Sequence, residues 1–439
     1  MHHILVLGAG KSATILIESL LEDAHEQNWY VHVADVRLDT AEKKVAGYGR
    51  SAAYRIEPND PEQLDKLIQM ADAVISMLPP PLHIVVAKKC LSHRKHFLNA
   101  SYLTPELMAL DEEARAAQLS FLVEMGLDPG IDHMSAMDMI HDIQNKGGTI
   151  SSFRSHCGGL ISPESDDNPW HYKISWNPKN IIMAGKDGAH YLSGGQVCHV
   201  AYNELFNPAR TVQIPGLGLY AWYPNRDSIP YLNTYGLSAV SDFVRTTLRH
   251  PAFAAGWKKI VELGLTSETK TIDTDGLTFA EFLNGYLGGM DAWEEPLKEQ
   301  FAFLLAHNNT PINLGLLAPA DILQILMEKK LALGEGDRDM IVMLHELEYR
   351  MPGVDALQTI SASLVVKGKD QVHTAMAKTV GLPLAIAVKN ILNGRIQRKG
   401  VFIPVYPDVY QIVLPDLEKK GICFTIISSA VLSSPPHPL

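Results

Sequence analysis

A short apolar run followed by a glycine turn stands near the N-terminus and reads Ile4-Leu5-Val6-Leu7-Gly8-Ala9-Gly10-Lys11-Ser12-Ala13. The apolar run predicts a buried strand, and residues 12–21 have the spacing of an amphipathic helix. The turn fits the pattern G-x-G-x-x-A. Gly8 allows the tight turn, Gly10 lets a diphosphate approach the backbone, and Ala13 permits close packing of the helix on the strand. These residues predict a dinucleotide-binding turn, in which the N-terminus of the helix carries the anion.

Two other interpretations of this turn have to be weighed. Gly10-Lys11-Ser12 imitates the end of the phosphate loop of nucleotide hydrolases, but that loop needs a glycine five positions before Gly10. Leu5 stands there, inside the predicted strand, so the hydrolase interpretation fails. A glycine turn without any ligand stays open as the second alternative.

Apolar strands alternate with amphipathic helices through the first third of the chain. The predicted strands are residues 4–7, 30–35, 73–77, 96–99 and 119–123, and the predicted helices between them are 12–21, 40–45, 62–70, 83–90 and 104–118. This alternation predicts an α/β fold with a doubly wound parallel sheet that has helices on both faces. Further along, residues 372–392 predict a helix broken near Pro383, and the proline-rich end at 433–439 predicts a frayed terminus.

Composition restricts the class of protein. The chain has 439 residues, which predicts more than one domain, and a net charge of −11, which leaves no electrostatic basis for binding nucleic acid. No signal peptide and no apolar run of membrane-spanning length are expected. The four cysteines, without CxxC spacing, predict reduced thiols in a cytoplasmic protein and no metal site; they are Cys90, Cys157, Cys198 and Cys423.

An acidic residue, Asp35, ends the second predicted strand. A carboxylate at this position accepts hydrogen bonds from the hydroxyls of the adenine ribose and repels the 2′-phosphate of NADP. Arg37, two positions later, can partly offset that repulsion. The sequence therefore favours NAD over NADP, and a cap at the start of the loop is the alternative role for Asp35.

The chain resembles the saccharopine dehydrogenases of the glutamate-forming type, with matching segments in the same order along most of its length. The matching segments are GAGKSA (8–13), VISMLP (74–79), ASYLTPEL (100–107), GLDPGIDH (126–133), CGGL-x-x-PE-x-DDNP (157–169), YK-x-SW (172–176), YPNRDS (223–228), TLRH (247–250), DRDMIVM (337–343) and GLPLAIA (381–387). The related lysine-forming, carboxynorspermidine and homospermidine enzymes share only parts of this series. The combination is therefore more specific than the glycine turn.

The resemblance implies reversible, NAD- or NADP-linked oxidation of the secondary amine of saccharopine to glutamate and 2-aminoadipate 6-semialdehyde. It also implies a homodimer with a Rossmann domain and a mixed α/β domain for substrate binding and dimerisation. We assign residues 1–128, completed by 390–439, to the Rossmann domain, and 129–389 to the second domain, with a helical insertion at about 240–330. Fungal members carry an arginine directly after the second strand; the segment Ala34–Arg37 departs from this and fits an NAD-linked, lysine-degrading role better.

The site residues follow from the motifs and the resemblance together. Arg226 and Arg249 suit carboxylates, because a guanidinium binds them through two parallel hydrogen bonds. A surface salt bridge is the alternative role for each arginine, and Lys173 is either a ligand or structural. The predicted cofactor-binding residues are Gly8, Gly10, Lys11, Ser12, Ala13, Asp35, Arg37, Ser76, Met77, Leu78 and Ser101, and the predicted substrate-binding residues are Ser101, Tyr102, Arg226, Thr247 and Arg249.

The predicted catalytic group consists of Asp128, Tyr102 and Cys157. Asp128, between a strand end and a helix start, can bind the charge of the reacting nitrogen or pass protons; its alternative role is a helix N-cap. Cys157 is expected to be a wall of the pocket, because the reaction needs no thiolate. His83 either faces the cofactor or serves as a cap or solvent-exposed residue, and His133 either packs or takes part in the site.

Two alternatives to the leading function remain at this point. One is a polyamine-forming reductase of the carboxynorspermidine type, whose substrate has fewer carboxylates. The other is a non-catalytic Rossmann protein that senses a dinucleotide. Arg226 and Arg249 together favour a tricarboxylate substrate over the substrate of a polyamine-forming reductase. The intact segments 126–133, 157–160 and 223–228 weigh against a non-catalytic sensor.

Overall fold

The computed structural model describes residues 1–57, 60–305 and 309–430. The predicted frayed end, 433–439, lies outside this range.

Two compact units make up the chain. One comprises Met1–Asn145 with Val372–Cys423, and the other comprises Lys146–Gln371 with Phe424–Leu439. These divisions fall later than 128/129 and earlier than 389/390, because the helices that end at Asn145 and begin at Ala375 both belong to the first unit.

Eighteen strands lie within the described residues, and their bounds are β1 (His2–Leu7), β2 (Trp29–Asp35), β3 (Ser51–Arg55), β4 (Ala73–Ser76), β5 (His96–Asn99), β6 (Ser120–Leu122), β7 (Thr149–Ile161), β8 (Ala189–Ser193), β9 (Gln196–Val200), β10 (Thr211–Ile214), β11 (Gly218–Pro224), β12 (Asp242–Arg249), β13 (Ile272–Asp273), β14 (Leu316–Leu317), β15 (Asp339–Arg350), β16 (Gln358–Lys367), β17 (Gly400–Phe402) and β18 (Thr425–Ala430).

Sixteen α-helices lie in the same part of the chain, with the bounds α1 (Thr14–Asp23), α2 (Leu38–Val45), α3 (Pro61–Met70), α4 (His83–Ser92), α5 (Pro105–Met108), α6 (Asp111–Ala116), α7 (Ile131–Asn145), α8 (Pro178–Ile182), α9 (Tyr202–Leu205), α10 (Ile229–Thr234), α11 (Pro251–Glu262), α12 (Phe279–Asn284), α13 (Glu295–Leu305), α14 (Pro319–Lys330), α15 (Ala375–Leu392) and α16 (Pro407–Lys419). Short 3₁₀ turns occur at Lys11–Ala13, Pro80–Leu82, Pro163–Ser165 and Met290–Ala292.

The first unit is built on a seven-stranded sheet in the order β17-β6-β5-β4-β1-β2-β3. Every neighbouring pair in it runs parallel. Ile4, Leu5, Val6 and Leu7 of β1 are fully buried, as expected for a strand covered by helices on both faces. The strand order reverses direction between β1 and β4, and open sheets of this kind bind ligands at such a point. The predicted doubly wound α/β fold is confirmed.

Three details of the predicted helices are wrong. Helix α2 begins at Leu38, with Arg37 as its N-cap, two residues before the predicted start at residue 40. The predicted helix 104–118 divides into α5 and α6, because the chain turns at 109–110. Helix α15 continues through Pro383 without a break. Dense burial of this helix outweighs the roughly 3 kcal/mol that a proline costs in a helix interior.

Helix α15 is long and apolar enough to cross a membrane, with a mean hydropathy of 1.3, although no apolar run of that length was expected. However, 78% of the helix is buried inside the fold, and a core helix passes the same test of length and composition.

The second unit carries a mixed sheet of nine strands. Its main path is β10-β11-β12-β7-β15-β16-β18, with β8 joined to β12 and β9 joined to β8. Strands β7 and β12 are parallel, and the other pairs are antiparallel. Within the predicted segment 390–439, β17 lies in the parallel sheet but β18 pairs with β16. Residues 390–439 therefore do not complete the first unit as a whole.

An aromatic core holds the helices of the second unit. Trp170, Phe253, Trp257 and Phe301 are fully or almost fully buried in it, and the Trp170 indole Nε1 donates a 2.9 Å hydrogen bond to a helix carbonyl, that of Gln300. The predicted start of the helical insertion, about residue 240, is too early, because Asp242–Arg249 is a strand inside the sheet.

Candidate active site

All seven strands of the sheet in the first unit end at the same edge, because parallel strands share their carboxyl ends, and five of the loops that leave this edge carry predicted site residues. These loops carry all of the predicted cofactor residues and two of the predicted catalytic residues. These loops are residues 8–13, 35–37, 76–83, 99–102 and 123–130.

The glycine turn has the geometry that its motif requires. Gly8 has a φ of +97°, and a Cβ there would lie 2.9 Å from the carbonyl oxygen of Met77. Only glycine fits such a position without strain. Gly10 is exposed, and a Cβ built on it would meet nothing within 4 Å. Open space therefore lies beside the backbone where a diphosphate is expected.

The helix start that follows the turn has no protein anion in front of it. Among the described residues, no side chain caps the 3₁₀ turn Lys11–Ala13 or helix α1, and neither first turn contains an acidic residue. The partial positive charge of the helix start is therefore left for a ligand. This set of donors fits the diphosphate of a dinucleotide.

Asp35 ties the end of β2 to the glycine turn. Its Oδ2 accepts a 2.8 Å hydrogen bond from the Ala9 backbone N–H, and its Oδ1 accepts a 3.0 Å hydrogen bond from the Arg37 N–H. The carboxylate stands beside the turn, where the ribose hydroxyls of a dinucleotide are expected. The same carboxylate caps the start of the loop through the Arg37 N–H, so Asp35 can both cap the loop and bind a ligand.

His83 bridges two of the predicted site serines. Its Nδ1 lies 2.9 Å from Ser76 Oγ, and its Nε2 lies 2.8 Å from Ser101 Oγ. The residue is only 3% exposed, and Leu82, not His83, is the N-cap of α4. The capping and solvent-exposed roles are therefore wrong. Burial lowers the pKa of His83 to about 4, so the ring is neutral near pH 7.

Tyr102 and Asp128 come together from two different loops. The Tyr102 hydroxyl donates a 3.2 Å hydrogen bond to Asp128 Oδ1, and both side chains are partly exposed. A carboxylate and a phenol in contact can bind a cationic nitrogen and pass protons at the sheet edge.

Glu124 is a site residue that sequence reasoning missed. It is 2% exposed and has a left-handed φ of 56°. Its Oε1 accepts a 2.8 Å hydrogen bond from the Leu103 N–H, and its Oε2 lies 2.7 Å from His133 Nε2. Glu124 and His133 therefore anchor the loop that carries Ser101 and Tyr102. The position of Glu124 directly after a predicted strand was the one available signal.

In the second unit, three side chains stand next to one another on neighbouring strands. Thr247 of β12 is in register with Cys157 of β7 on one side and with Tyr223 of β11 on the other. Cys157 is 5% exposed, which agrees with its expected role as a wall. Arg249 lies two residues after Thr247 and thus on the same face of the sheet.

Arg249 is a buried cation held by aromatic rings. It is 4% exposed, and its guanidinium carbon lies 5.4, 6.0 and 5.6 Å from the ring centres of Tyr172, Tyr223 and Phe253. One Nη donates a 2.8 Å hydrogen bond to the Leu248 carbonyl. The surface salt bridge considered for it is wrong, because the side chain is buried.

The guanidinium of Arg249 also has unused hydrogen-bonding capacity. Its Nε is buried and has no hydrogen-bond partner, and within the described part of the chain no carboxylate forms an ion pair with it. A buried charge without a counterion is costly. The arrangement therefore fits an anionic ligand that completes it.

The other two predicted cations differ from Arg249. Arg226 is exposed and has a left-handed φ of 56°; its carbonyl accepts a 3.2 Å hydrogen bond from the His190 N–H. Lys173 is 8% exposed and lies 2.8 Å from Asp167 and 2.8 Å from Asp337. Burial opposes the charge of Lys173, but the two carboxylates outweigh it and raise the lysine pKa. Its structural role is the better supported one.

No cluster of His, Cys, Asp or Glu side chains in the described ranges could hold a metal ion. All four cysteines are free thiols.

Comparison with protein families gives two adjoining matches. Residues 4–122 match the saccharopine dehydrogenase NADP binding domain, and residues 126–422 match the saccharopine dehydrogenase C-terminal domain.

Individual relatives extend these matches. The alpha-aminoadipic semialdehyde synthase of Arabidopsis thaliana is 35% identical over 95% of this chain and 44% of its own length. The NADP(+), L-glutamate-forming saccharopine dehydrogenase of Pyricularia oryzae is 31% identical over 95% of this chain and 96% of its own length. The solved apo saccharopine dehydrogenase (L-Glu forming) of Saccharomyces cerevisiae superposes with a TM-score of 0.87 and 29% identity, covering 98% of this chain and all of that one.

The chain spans about half the length of the longer curated relatives that it matches. It corresponds nearly end to end to the Pyricularia protein. The chain belongs to the saccharopine dehydrogenase family.

Proposed function

We propose that the protein is an oxidoreductase of lysine metabolism that acts on the secondary amine of saccharopine. The reaction reversibly gives L-glutamate and 2-aminoadipate 6-semialdehyde, with a nicotinamide dinucleotide as hydride carrier. The observation that carries this proposal is the buried Arg249, which has no ion pair to a carboxylate of the described residues. A tricarboxylate substrate supplies that counterion and leaves carboxylates for the exposed Arg226, whereas a polyamine of the carboxynorspermidine type has fewer carboxylates to offer.

The first unit is proposed to be the dinucleotide-binding domain. The Gly8–Ala13 turn and the start of α1 would hold the diphosphate, and Asp35 would accept from the ribose hydroxyls. Ser76, Met77 and Leu78 belong to the next loop of the same sheet edge. Bound there, the nicotinamide takes up or gives back the hydride, while the protein supplies orientation and charge.

The choice between NAD and NADP rests on opposing observations. The matching domain model and the Pyricularia relative both carry NADP in their names, which favours NADP. Asp35 beside the turn favours NAD, and the exposed Arg37 can offset its repulsion of a 2′-phosphate. We propose NADP as the preferred cofactor on the strength of the family, against the preference that the sequence alone predicts.

The second unit is proposed to bind substrate. Arg249 would pair with one carboxylate, Thr247 would donate its hydroxyl, and the exposed Arg226 would reach a further carboxylate. In the first unit, Asp128 with Tyr102 is proposed to hold the cationic amine or to pass the protons that imine hydrolysis requires. Cys157 would form part of the wall.

A homodimer and a cytoplasmic location complete the proposal. Support for the dimer comes from the sheet edge of the second unit, where Ile426 and Ile427 of β18 are 61% and 49% exposed. Apolar edge strands are typical sites of pairing with another chain. Light scattering of the purified protein tests the dimer. Free thiols support a reducing compartment.

A direct assay tests the activity. The purified protein is mixed with saccharopine and NADP or NAD, reduction is followed at the nicotinamide absorbance, and glutamate is identified as a product. Carboxynorspermidine serves as the competing substrate. Reduction with neither cofactor would overturn the proposal and leave a dinucleotide-sensing protein, and turnover of carboxynorspermidine alone would favour the polyamine enzyme.

A further inference from the structure

His83 forms a hydrogen-bonded bridge between two loops of the sheet edge. It opens α4 after strand β4, and it joins Ser76 at the end of β4 to Ser101 after β5. The two contacts are 2.9 Å at Nδ1 and 2.8 Å at Nε2, so both ring nitrogens are engaged. Ser76 and His83 are 1% and 3% exposed.

A neutral imidazole has one N–H donor and one acceptor nitrogen. Because the buried ring is neutral near pH 7, it donates to one serine and accepts from the other. If the Ser76 hydroxyl donates to the ring, the ring donates to the Ser101 hydroxyl, and the reverse holds as well. The hydrogen-bonding roles of the two serines are therefore coupled through the imidazole. A phenylalanine or leucine at position 83 would lack this coupling while still filling the space.

The rest of Ser101 is already fixed. Its N–H donates a 3.1 Å hydrogen bond to Asn99 Oδ1, and its carbonyl accepts a 3.1 Å hydrogen bond from the Glu124 N–H. With the backbone held on both sides, the hydroxyl is the group that remains to be oriented. His83 is the side chain of the described chain that contacts it.

We propose that His83 is a positioning residue that sets the hydrogen-bonding direction of Ser101 toward the substrate. Ser76 donates to Nδ1, and the Nε2–H donates to Ser101 Oγ. The Ser101 O–H is thereby left to donate outward, to a substrate carboxylate. This inference rests on the proposed function, because it takes saccharopine as the ligand of Ser101.

Two conservative variants separate the two ends of the bridge. The amide of His83→Asn reaches the position of Nδ1 and keeps the bond to Ser76, whereas that of His83→Gln reaches the position of Nε2 and keeps the bond to Ser101. We expect H83N to raise the KM for saccharopine about tenfold and to leave the Kd of NADPH, measured by fluorescence, within about threefold. We expect H83Q to keep the saccharopine KM within about threefold. Equal saccharopine KM values for H83N and H83Q would overturn the proposal.

A double-mutant cycle tests whether His83 acts through Ser101. In a Ser101→Ala background, H83N is expected to cause no further rise in the KM for saccharopine. If the KM increases caused by H83N and by Ser101→Ala multiply in the double variant, His83 does not act through Ser101 and the proposal is contradicted.

His96 offers a matched control. It is also a partly buried histidine of the first unit, its pKa is lowered to about 4, and its Nδ1 accepts a 3.0 Å hydrogen bond from the Ser120 N–H at the other end of β5. His96→Leu is expected to lower the unfolding midpoint without raising the saccharopine KM. An equal rise in H96L and H83N would show a general loss of stability and overturn the inference.

The outcome for wild-type protein separates this inference from the proposed function. Absence of saccharopine turnover by the wild type overturns both. Wild-type turnover together with an H83N that behaves like H96L overturns the positioning role alone.

Discussion

The Tyr102 hydroxyl donates to Asp128 Oδ1 across 3.2 Å, although the two residues are 26 positions apart in the chain. Each follows a different strand of one parallel sheet, so the shared edge of the sheet brings them together. The phenol stabilises the carboxylate by a hydrogen bond to its charged form. This pair is the best candidate for handling the charge and the protons of the reacting amine.

Replacing Asp128 by Asn is expected to lower kcat about a hundredfold, because general acid–base groups contribute at least this much. Tyr102→Phe removes the hydroxyl that donates to the carboxylate and is expected to lower kcat about tenfold. Steady-state assays with saccharopine measure both. A kcat for D128N within threefold of the wild type would remove Asp128 from the chemistry, and an unchanged Kd for the cofactor serves as the control.

Arg249→Met is expected to have opposite effects on binding and stability. Loss of the bidentate partner raises the saccharopine KM by about 30-fold, which corresponds to about 2 kcal/mol. Stability stays the same or rises, because replacing a buried charge by an apolar side chain is often neutral or stabilising. Kinetics and thermal unfolding measure the two effects. The matched control is Arg398→Met, which removes a surface pair with Asp408 and leaves KM unchanged. A sharp fall in Tm for R249M would indicate a structural arginine instead.

The cofactor preference is measured as kcat/KM with NADP divided by kcat/KM with NAD. Asp35→Ser is expected to raise this ratio at least about tenfold, because it removes the charge that repels the 2′-phosphate. Both individual values fall, since Asp35 also holds the Ala9 N–H. The ratio isolates the electrostatic effect from the loss of turn geometry. Arg37→Ala is the opposite variant and lowers the same ratio. An unchanged ratio in D35S would place the adenine ribose away from Asp35.

Histidines whose pKa is lowered, among them the buried His83 and the partly buried His96, make stability fall on mild acidification. Burial lowers the pKa of both His83 and His96 to about 4, whereas the unfolded chain binds the proton near pH 6.5. The unfolded state therefore binds more protons between these values, and stability is lost as the pH falls from 6.5 toward 4. We expect each histidine to account for about 2 kcal/mol between pH 6.5 and 5. Urea unfolding across this range measures it. H96L should show a shallower loss than the wild type, and an identical slope would contradict the assignment.

The prediction of the fold from sequence succeeded where the local pattern and the packing act in the same direction. The run Ile4–Leu7, the turn Gly8–Ala13 and the alternation that follows were enough to predict the parallel sheet. The pattern failed at α15, because a proline in a densely buried helix costs less than the packing it would disrupt. It also failed to place Thr425–Ala430, because a strand pattern does not say which sheet the strand joins.

Prediction of the site also depended on whether a feature arises from the local sequence or from packing between distant segments. The motif residues around Gly8, Asp35 and Asp128 could be proposed for the site from the sequence because their chemistry is local to a strand end. Glu124 and the bridge through His83 were not found, because a buried hydrogen bond depends on neighbours that the sequence does not place. The sequence around Lys173 does not distinguish a substrate ligand from a buried ion pair. Its contacts with Asp167 and Asp337 support the structural role.

Three features could be predicted from the sequence: the strand–turn–helix unit for a dinucleotide, the family resemblance and the residue types that suit a polyanionic substrate. Three other features depend on the folded chain: Arg249 is buried over aromatic rings, Tyr102 contacts Asp128, and His83 joins two serines. Turn geometry and helix periodicity are predictable because they arise within a few residues. Burial, counterion loss and hydrogen-bond pairing arise between segments far apart in the chain.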